Sequence, residues 1–392
     1  MQTLKNKTSE PYQFRRMFEP FPIKGLTLRN RIVFPAILTN YARSDGFVTK
    51  GLIHYHEERA EHVGMNIVEV SMVRPKAGLS TRQIHIYDDK YIPGLTKLAQ
   101  AIKEKGAAAV IQICDFGARA GSFGADADPV APSPTRLAPK KARKLSVDEI
   151  KQFVVAFSEA ARRAHEAGFD GVEIHACHMY LISQFLSPYI NKRKDEYGGS
   201  SENRARILLE IIEATKKRVP EDFLILCRID LFEPFEGGST LGEVIERAQL
   251  LEKAGIDILD LSGICQKVTF NQGGENFDWF TTGCPTNWPE GHMIKYAAKV
   301  KEAVNVPTVA VGKIFSPQLA ENILELGQAD LVATARSLIA DCKWPLKVRE
   351  GRDREILRCK EDLKCLRSLS MDQPMSCAVS KSLPPKEIDE LA

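Results

Sequence analysis

Six consecutive residues, His175-Ala-Cys-His178-Met-Tyr180, place two imidazoles and a phenol within reach of one small volume. Imidazole N–H groups can donate to an oxygen of a bound molecule, and a tyrosine hydroxyl can deliver a proton. A His-x-x-His pair alone is a weak signal, because on a helix it reads as a solvated surface pair. Metal binding would need further ligands at fixed geometry. Neither an H-E-x-x-H run nor Cys-rich zinc spacing surrounds this pair, so no metal is expected there. Position strengthens the reading: the pair directly follows the apolar run GVEIH (171–175), which has the composition of a strand.

That run is one of a series. Short β-branched segments recur at 32–38, 66–73, 108–114, 171–175, 223–229, 257–262, 307–312 and 329–335. Each is almost continuously apolar, as parallel strands covered on both faces must be. Amphipathic stretches at helical spacing separate them, most clearly 92–106, 146–168 and 240–255, several with a Ser/Thr start and a Gly stop. Eight such units predict an α/β fold, a (β/α)8 TIM barrel, with residues 18–352 as one domain. A doubly wound sheet would put a glycine-rich turn after the first strand, and PAILTNYA contains no glycine. Three connections leaving strand ends, 115–146, 176–200 and 263–289, are too long for turns and mark the functional face. The segment FEPFPIKGLTLRN around Gly25 reads as an N-terminal hairpin that could plug the opposite end. Past 353 the rhythm stops, leaving a short C-terminal tail, 353–392.

Composition bounds the partners. The 392 residues carry 54 Lys+Arg against 51 Asp+Glu, a net charge of +3, with no dense basic block. No nucleic-acid partner is expected from this. No window is apolar enough for a membrane span, and the N-terminal MQTLKNKTSEPYQF has no apolar core of an export signal. The nine scattered cysteines then read as reduced thiols of a cytoplasmic protein.

The stretch GVEIHACHMYLISQFLSPYINKRKDEYGGSSENRARILLE (171–210) resembles the Old Yellow Enzyme family of FMN-dependent ene-reductases. The match includes Gln184, Phe185, Leu186, Pro188, Asn191, Arg193, the Asp195–Ser200 run, Asn203 and Arg204. It extends to NRIVFPAILTNYA, AVIQICDFGARAG, ILCRID, TVAVGKIFSP and QADLVATARSLIADCKWP, and so covers about 18–350. The resemblance implies an FMN-binding barrel that takes hydride from NADH or NADPH and reduces the C=C bond of a small, electron-poor alkene. His175 and His178 would hold the activating oxygen, and Tyr180 would deliver the proton. The cofactor would meet Ala36 and Leu38 after the first strand, Val70 in the second, Gln112 at its pyrimidine edge and Arg228 near flavin N1 and O2. Gly312, Ala335 and Arg336 would cradle its phosphate, with Lys313 either joining them or a solvated neighbour. Arg228 has a plainer alternative role, a buried ion pair.

There are departures. Ala36-Ile37-Leu38 offers no thiol or hydroxyl to tune the flavin, and Asp115 and Ala118 stand where the family usually has His and Arg. The tail resembles the iron–sulfur segment of the 2,4-dienoyl-CoA reductase and trimethylamine dehydrogenase-like branch. Cys365 and Cys377 fit that pattern, Cys359 is one residue out of register, and Glu361 stands at the remaining position, so a standard four-thiolate cluster is not expected. The alternatives left open are a flavin-dependent isomerase or dehydrogenase, a flavin-free phosphate-binding aldolase or isomerase, and an FMN barrel fed by a separate electron-transfer protein. A homo-oligomer is compatible with all of them.

Overall fold

All eight apolar runs form strands in a computed structural model that describes residues 14–272, 275–281 and 286–392. They are β1 (Ile32–Phe34), β2 (Met65–Met72), β3 (Ala108–Cys114), β4 (Gly171–Ala176), β5 (Leu224–Asp230), β6 (Ile258–Ser262), β7 (Thr308–Val311) and β8 (Leu331–Ala333). Each pairs in parallel with the next, and β8 returns to β1 through Val332 opposite Ile32, closing the barrel. The outer helices begin where the Ser/Thr signals placed them. Ser146 and Thr240 each complete a capping box with the glutamate three residues on, Glu149 and Glu243. A cap of this kind contributes about 1 kcal/mol. Gly255 closes the helix Leu241–Ala254 at φ 89°, a left-handed angle that favours glycine.

The N-terminal hairpin is present as Phe21–Ile23 paired with Leu26–Leu28, turning at Lys24-Gly25. Its apolar side packs on Val33, Met65, Val110, Leu224 and Val309 from the barrel interior. That end is therefore sealed by hydrophobic burial, and the opposite end, built from the long loops, is left to hold a ligand. The 263–289 connection is more ordered than a plain loop. Gln266–Gln272 and Glu275–Thr281 form an antiparallel hairpin that carries Trp279 and Phe280 over the barrel mouth. The apolar alternation flanking Gly273-Gly274 was the sequence signal for it.

The tail packs back onto the loop after β1. Met375 N–H donates to Thr39 O (2.8 Å), and its carbonyl accepts from the Tyr41 hydroxyl (2.6 Å). Further along, Gly51 N–H donates to Glu387 O (2.9 Å) and Lys50 N–H to Glu390 O (2.9 Å). A Cβ on Gly51 would lie 2.8 Å from Ile388 N, so only glycine admits this approach. Among the described residues, no helix is long and apolar enough to cross a membrane. Residues 1–13, most of the N-terminal stretch without an apolar export core, lie outside the described residues. The expectation that all cysteines are free thiols is corrected: Cys265 is disulfide-bonded. Seven others are free.

Candidate active site

The loops enclose a cavity of about 580 Å³ at the mouth of the barrel. This lies within the ~300–1,000 Å³ usual for small-molecule sites. The sequence-predicted residues Ala36, Leu38, Val70, Gln112, His175, His178, Tyr180, Arg228, Gly312, Ala335 and Arg336 all line it.

One wall is the donor set. The chain leaving β4 turns through two consecutive left-handed residues, His178 (φ 62°) and Met179 (φ 56°). Non-glycine residues adopt that region at a cost of ~1–3 kcal/mol each, and such strain persists only where the surroundings enforce it. Here Asp230 Oδ2 accepts from His178 N–H (2.8 Å) and from the Ser183 hydroxyl (3.0 Å). The turn brings the His175 ring 5.1 Å from His178 and 4.7 Å from Tyr180, measured between centroids. Burial, with Arg228 close by, holds both imidazoles well below the usual histidine pKa, so they are neutral. Ser262 Oγ lies 2.8 Å from His178 Nε2 and accepts from Arg228 (3.3 Å). It can thus donate to Nε2, leaving the His178 proton on Nδ1. Tyr180 packs edge-on against Phe116 at 4.3 Å, and its hydroxyl makes no hydrogen bond to a described residue. Burial raises its pKa to about 12, opposed by the nearby Arg119.

Cys177 Sγ lies 3.7 Å from His175 Nε2, and His175, Cys177 and His178 bring three ligand atoms within 4.8 Å of one another. This trio is the one arrangement of the kind among the described residues. It lies beside two buried arginines, a setting that opposes a cation.

The barrel interior supplies the second wall. Arg228 lines the cavity and also forms the buried ion pair with Asp260 (3.3 Å) that was its plainer alternative. Beside them, Gln112 Nε2 donates to Glu173 Oε2, so the carboxamide oxygen is the end left for a ligand. At the far end, Gly312 adopts φ 131°, and a Cβ there would press to 3.1 Å from Met293. Lys313 is not a solvated neighbour. It is buried, donates to Thr286 O and Trp288 O, and pairs with Glu361 at 2.7 Å. Arg336 lies 3.4 Å from the same carboxylate, which marks the two cations as an anion site.

Asp115 and Arg119 were not foreseen in these roles. Asp115 is buried against Arg74 (2.5 Å) and accepts from Gly117 N–H (2.7 Å), which shapes the turn. That turn then directs Arg119 into the cavity. The family pattern placed the arginine one residue earlier, and the shift hid it.

The tail thiols converge. Cys359, Cys365 and Cys377 line one small cavity together with Arg336, Glu361 and Asp362, and Cys365 also lines the large cavity. Glu361, the residue at the fourth position, is committed to Lys313 and Arg336. A four-thiolate cluster does not fit these side chains, and no step is derived through one.

Many groups here titrate abnormally. Burial raises Glu69 to about 8 and Asp230 and Glu233 to about 7, and burial with Asp260 raises Glu173. These carboxyls keep protons that the unfolded chain has lost, so their contribution to stability falls as pH rises from about 4 to 8. Burial lowers His56 to about 3 and His85 to about 4, and these contribute stability that is lost as pH falls below 6.5. Between pH 4.5 and 6.5 the two trends oppose. Above 6.5 only the carboxyl trend remains. The melting temperature is therefore expected to fall from about pH 6.5 to 8, and a rise across that interval would contradict the burial of these carboxyls.

Residues 16–355 match the NADH:flavin oxidoreductase / NADH oxidase family. The chain belongs to that family. It is 40% identical over 352 residues to an NADH oxidase of Thermoanaerobacter brockii, covering 88% of this chain and 52% of that one. An NADPH dehydrogenase of Clostridium acetobutylicum is 36% identical over 329 residues, covering 83% and 91%. Among solved structures, a 2-naphthoyl-CoA reductase in complex with 2-naphthoyl-CoA superposes with a TM-score of 0.86 at 28% identity, covering 95% of this chain and 58% of that one. The chain thus spans about half the length of some of the relatives it matches.

FMN and NAD(P)H are the cofactors of this NADH:flavin oxidoreductase family, and the residues present fit FMN. Arg228 and the free oxygen of Gln112 suit the polar edge of its ring system. Lys313 and Arg336, already holding a carboxylate, suit its phosphate. Ala36, Leu38 and Val70 supply apolar wall between them.

Proposed function

We propose that the chain acts as an FMN-dependent ene-reductase, passing hydride from NADH or NADPH to an electron-poor C=C bond of a small molecule. The supporting observation is the convergence of His175, His178 and Tyr180 on one wall of a cavity whose other surfaces fit FMN. Bound FMN supplies hydride chemistry with the nucleotide and with the alkene. The chain supplies the rest. Neutral His175 and His178 donate to the activating oxygen, and these donors strengthen as negative charge develops on it. Tyr180 holds its proton at neutral pH and delivers it to the carbon beside the carbonyl. Arg119, over the same ring, then stabilises the phenolate that remains. The aromatic roof of Phe116 and Trp279 excludes water while this occurs.

One solved relative is a 2-naphthoyl-CoA reductase bound to 2-naphthoyl-CoA, a thioester whose carbonyl is the kind of oxygen this donor pair would hold.

Purified protein is expected to be yellow and to release FMN on denaturation. Colourless protein that acquires no flavin spectrum on reconstitution would end the proposal. Phenols should perturb the flavin spectrum, and His178→Ala should weaken their binding by ~10–150-fold, the worth of one hydrogen bond to a charged oxygen. Unchanged affinity would remove His178 from the oxygen site.

A further inference from the structure

We propose that Arg119 anchors an anionic oxygen group on the molecule that lies over the flavin, either a carboxylate on the alkene or the pyrophosphate of the nucleotide. The inference rests on the ene-reductase reading of the same cavity.

Arg119 ends the turn Gly117–Arg119 that follows β3, and it is only 3% exposed. Its Nη1 donates to the carbonyl of His178 at 3.0 Å, which holds the guanidinium beside the donor pair. Its Nε is buried without a hydrogen-bond partner, and no carboxylate of the described residues lies in ion-pair range of it. The guanidinium carbon lies 5.3 Å from the Tyr180 ring centre and 4.4 Å from that of Trp279. The two rings hold the cation in place without neutralising it.

Burying a charge with no direct ion-pair partner is costly, and natural chains seldom leave one so. Of the other cations that line the cavity, Arg367 is exposed and the buried ones are paired. Arg228 is paired with Asp260, and Lys313 and Arg336 share Glu361 at the phosphate end. Among the described residues no Asp or Glu side chain lines the cavity. Asp230 lies behind the donor wall, committed to His178 N–H and the Ser183 hydroxyl, near enough to act on Arg119 but outside ion-pair range. The field at the donor end is therefore positive, and an anion entering with its activating oxygen on His175 and His178 would supply the missing charge. A fork of N–H donors with a free Nε suits a carboxylate or phosphate. The same field disfavours a cationic amine.

The test uses FMN-loaded protein and two probes of one shape, 4-hydroxybenzoate and the neutral 4-hydroxybenzamide, with binding read from the flavin spectrum. NADH and NADPH affinities are read in anaerobic reduction. If the alkene carries the anion, Arg119→Met should weaken the benzoate at least ~10-fold more than the benzamide, with Arg119→Lys retaining most of the difference. If the nucleotide carries it, the benzoate-to-benzamide ratio should hold while nucleotide affinity falls by a similar factor. Equal weakening of both probes, or no change in any ligand, overturns the role of Arg119. A wild-type flavin that neither probe perturbs would instead sink the reading of the cavity itself.

Discussion

Tyr180→Phe is expected to leave flavin reduction by NADH or NADPH nearly unchanged, while slowing alkene turnover by ~10²–10⁴-fold, the usual weight of a positioned general acid. The split follows from what each half of the cycle requires. Hydride arrival from the nucleotide needs no proton at carbon, whereas the reduced alkene must acquire one. Phenylalanine keeps the ring that packs on Phe116 and His175, so the wall should stand without its acid. The pH profile carries a second check. With its pKa raised to about 12, Tyr180 stays protonated across the neutral and moderately alkaline range. The wild-type rate of alkene reduction should then show no loss from this group below about pH 10. Stopped-flow measurement of the two half-reactions separates the cases: equal slowing of both would make Tyr180 a packing residue.

Arg228→Met is expected to produce the largest loss of stability of any single change at the site, about 3–5 kcal/mol at neutral pH. Arg228 is the cation that faces the buried carboxyls Asp260 and Glu173, and both are fully buried. Removing it strands negative charge in a low-dielectric interior, and methionine fills the volume without answering that charge. The folded chain must then bind a further proton at the pair. The carboxyl pKa values already lie above their ordinary range and would rise further. Since the unfolded chain releases those protons at lower pH, the penalty should grow as pH increases from 5 to 8. Urea unfolding of the variant and wild type at both ends of that range tests the sign. A penalty that shrinks with rising pH would mean the pair is not the electrostatic partner of Arg228. Retention of FMN is expected to fall in parallel, because the same guanidinium faces the cofactor.

The barrel was legible because each strand is covered on both faces and so reads as a continuous apolar run, with capped helices between. The ligand-facing positions were legible for a related reason: Gln112, His175 and Arg228 stand at or near the ends of those runs. What escaped was set by the folded turn or by contacts distant in sequence. Arg119 lies one residue from the position the family pattern reserves for a cation, and only the Asp115–Gly117 contact shows that the turn points it inward. Trp279 came from a hairpin inside a segment read as a loop. Lys313 was left as a solvated alternative because its partners, Thr286, Trp288 and Glu361, are brought to it only by folding. The convergence of Cys359 with Cys365 and Cys377 likewise depends on how the tail folds, which spacing along the chain does not record.

The strap formed by the tail bears on the order of assembly. Tyr41 and Met375, bonded to each other, stand 334 residues apart, and the loop they stabilise follows directly on Ala36 and Leu38 of the cavity wall. Contacts of such separation carry a loop-closure cost and form late. During synthesis the barrel strands would be available long before the segment that fastens this loop. Cofactor loading would then come as a closing event, and a chain interrupted before Met375 would expose an unfinished pocket to proteolysis.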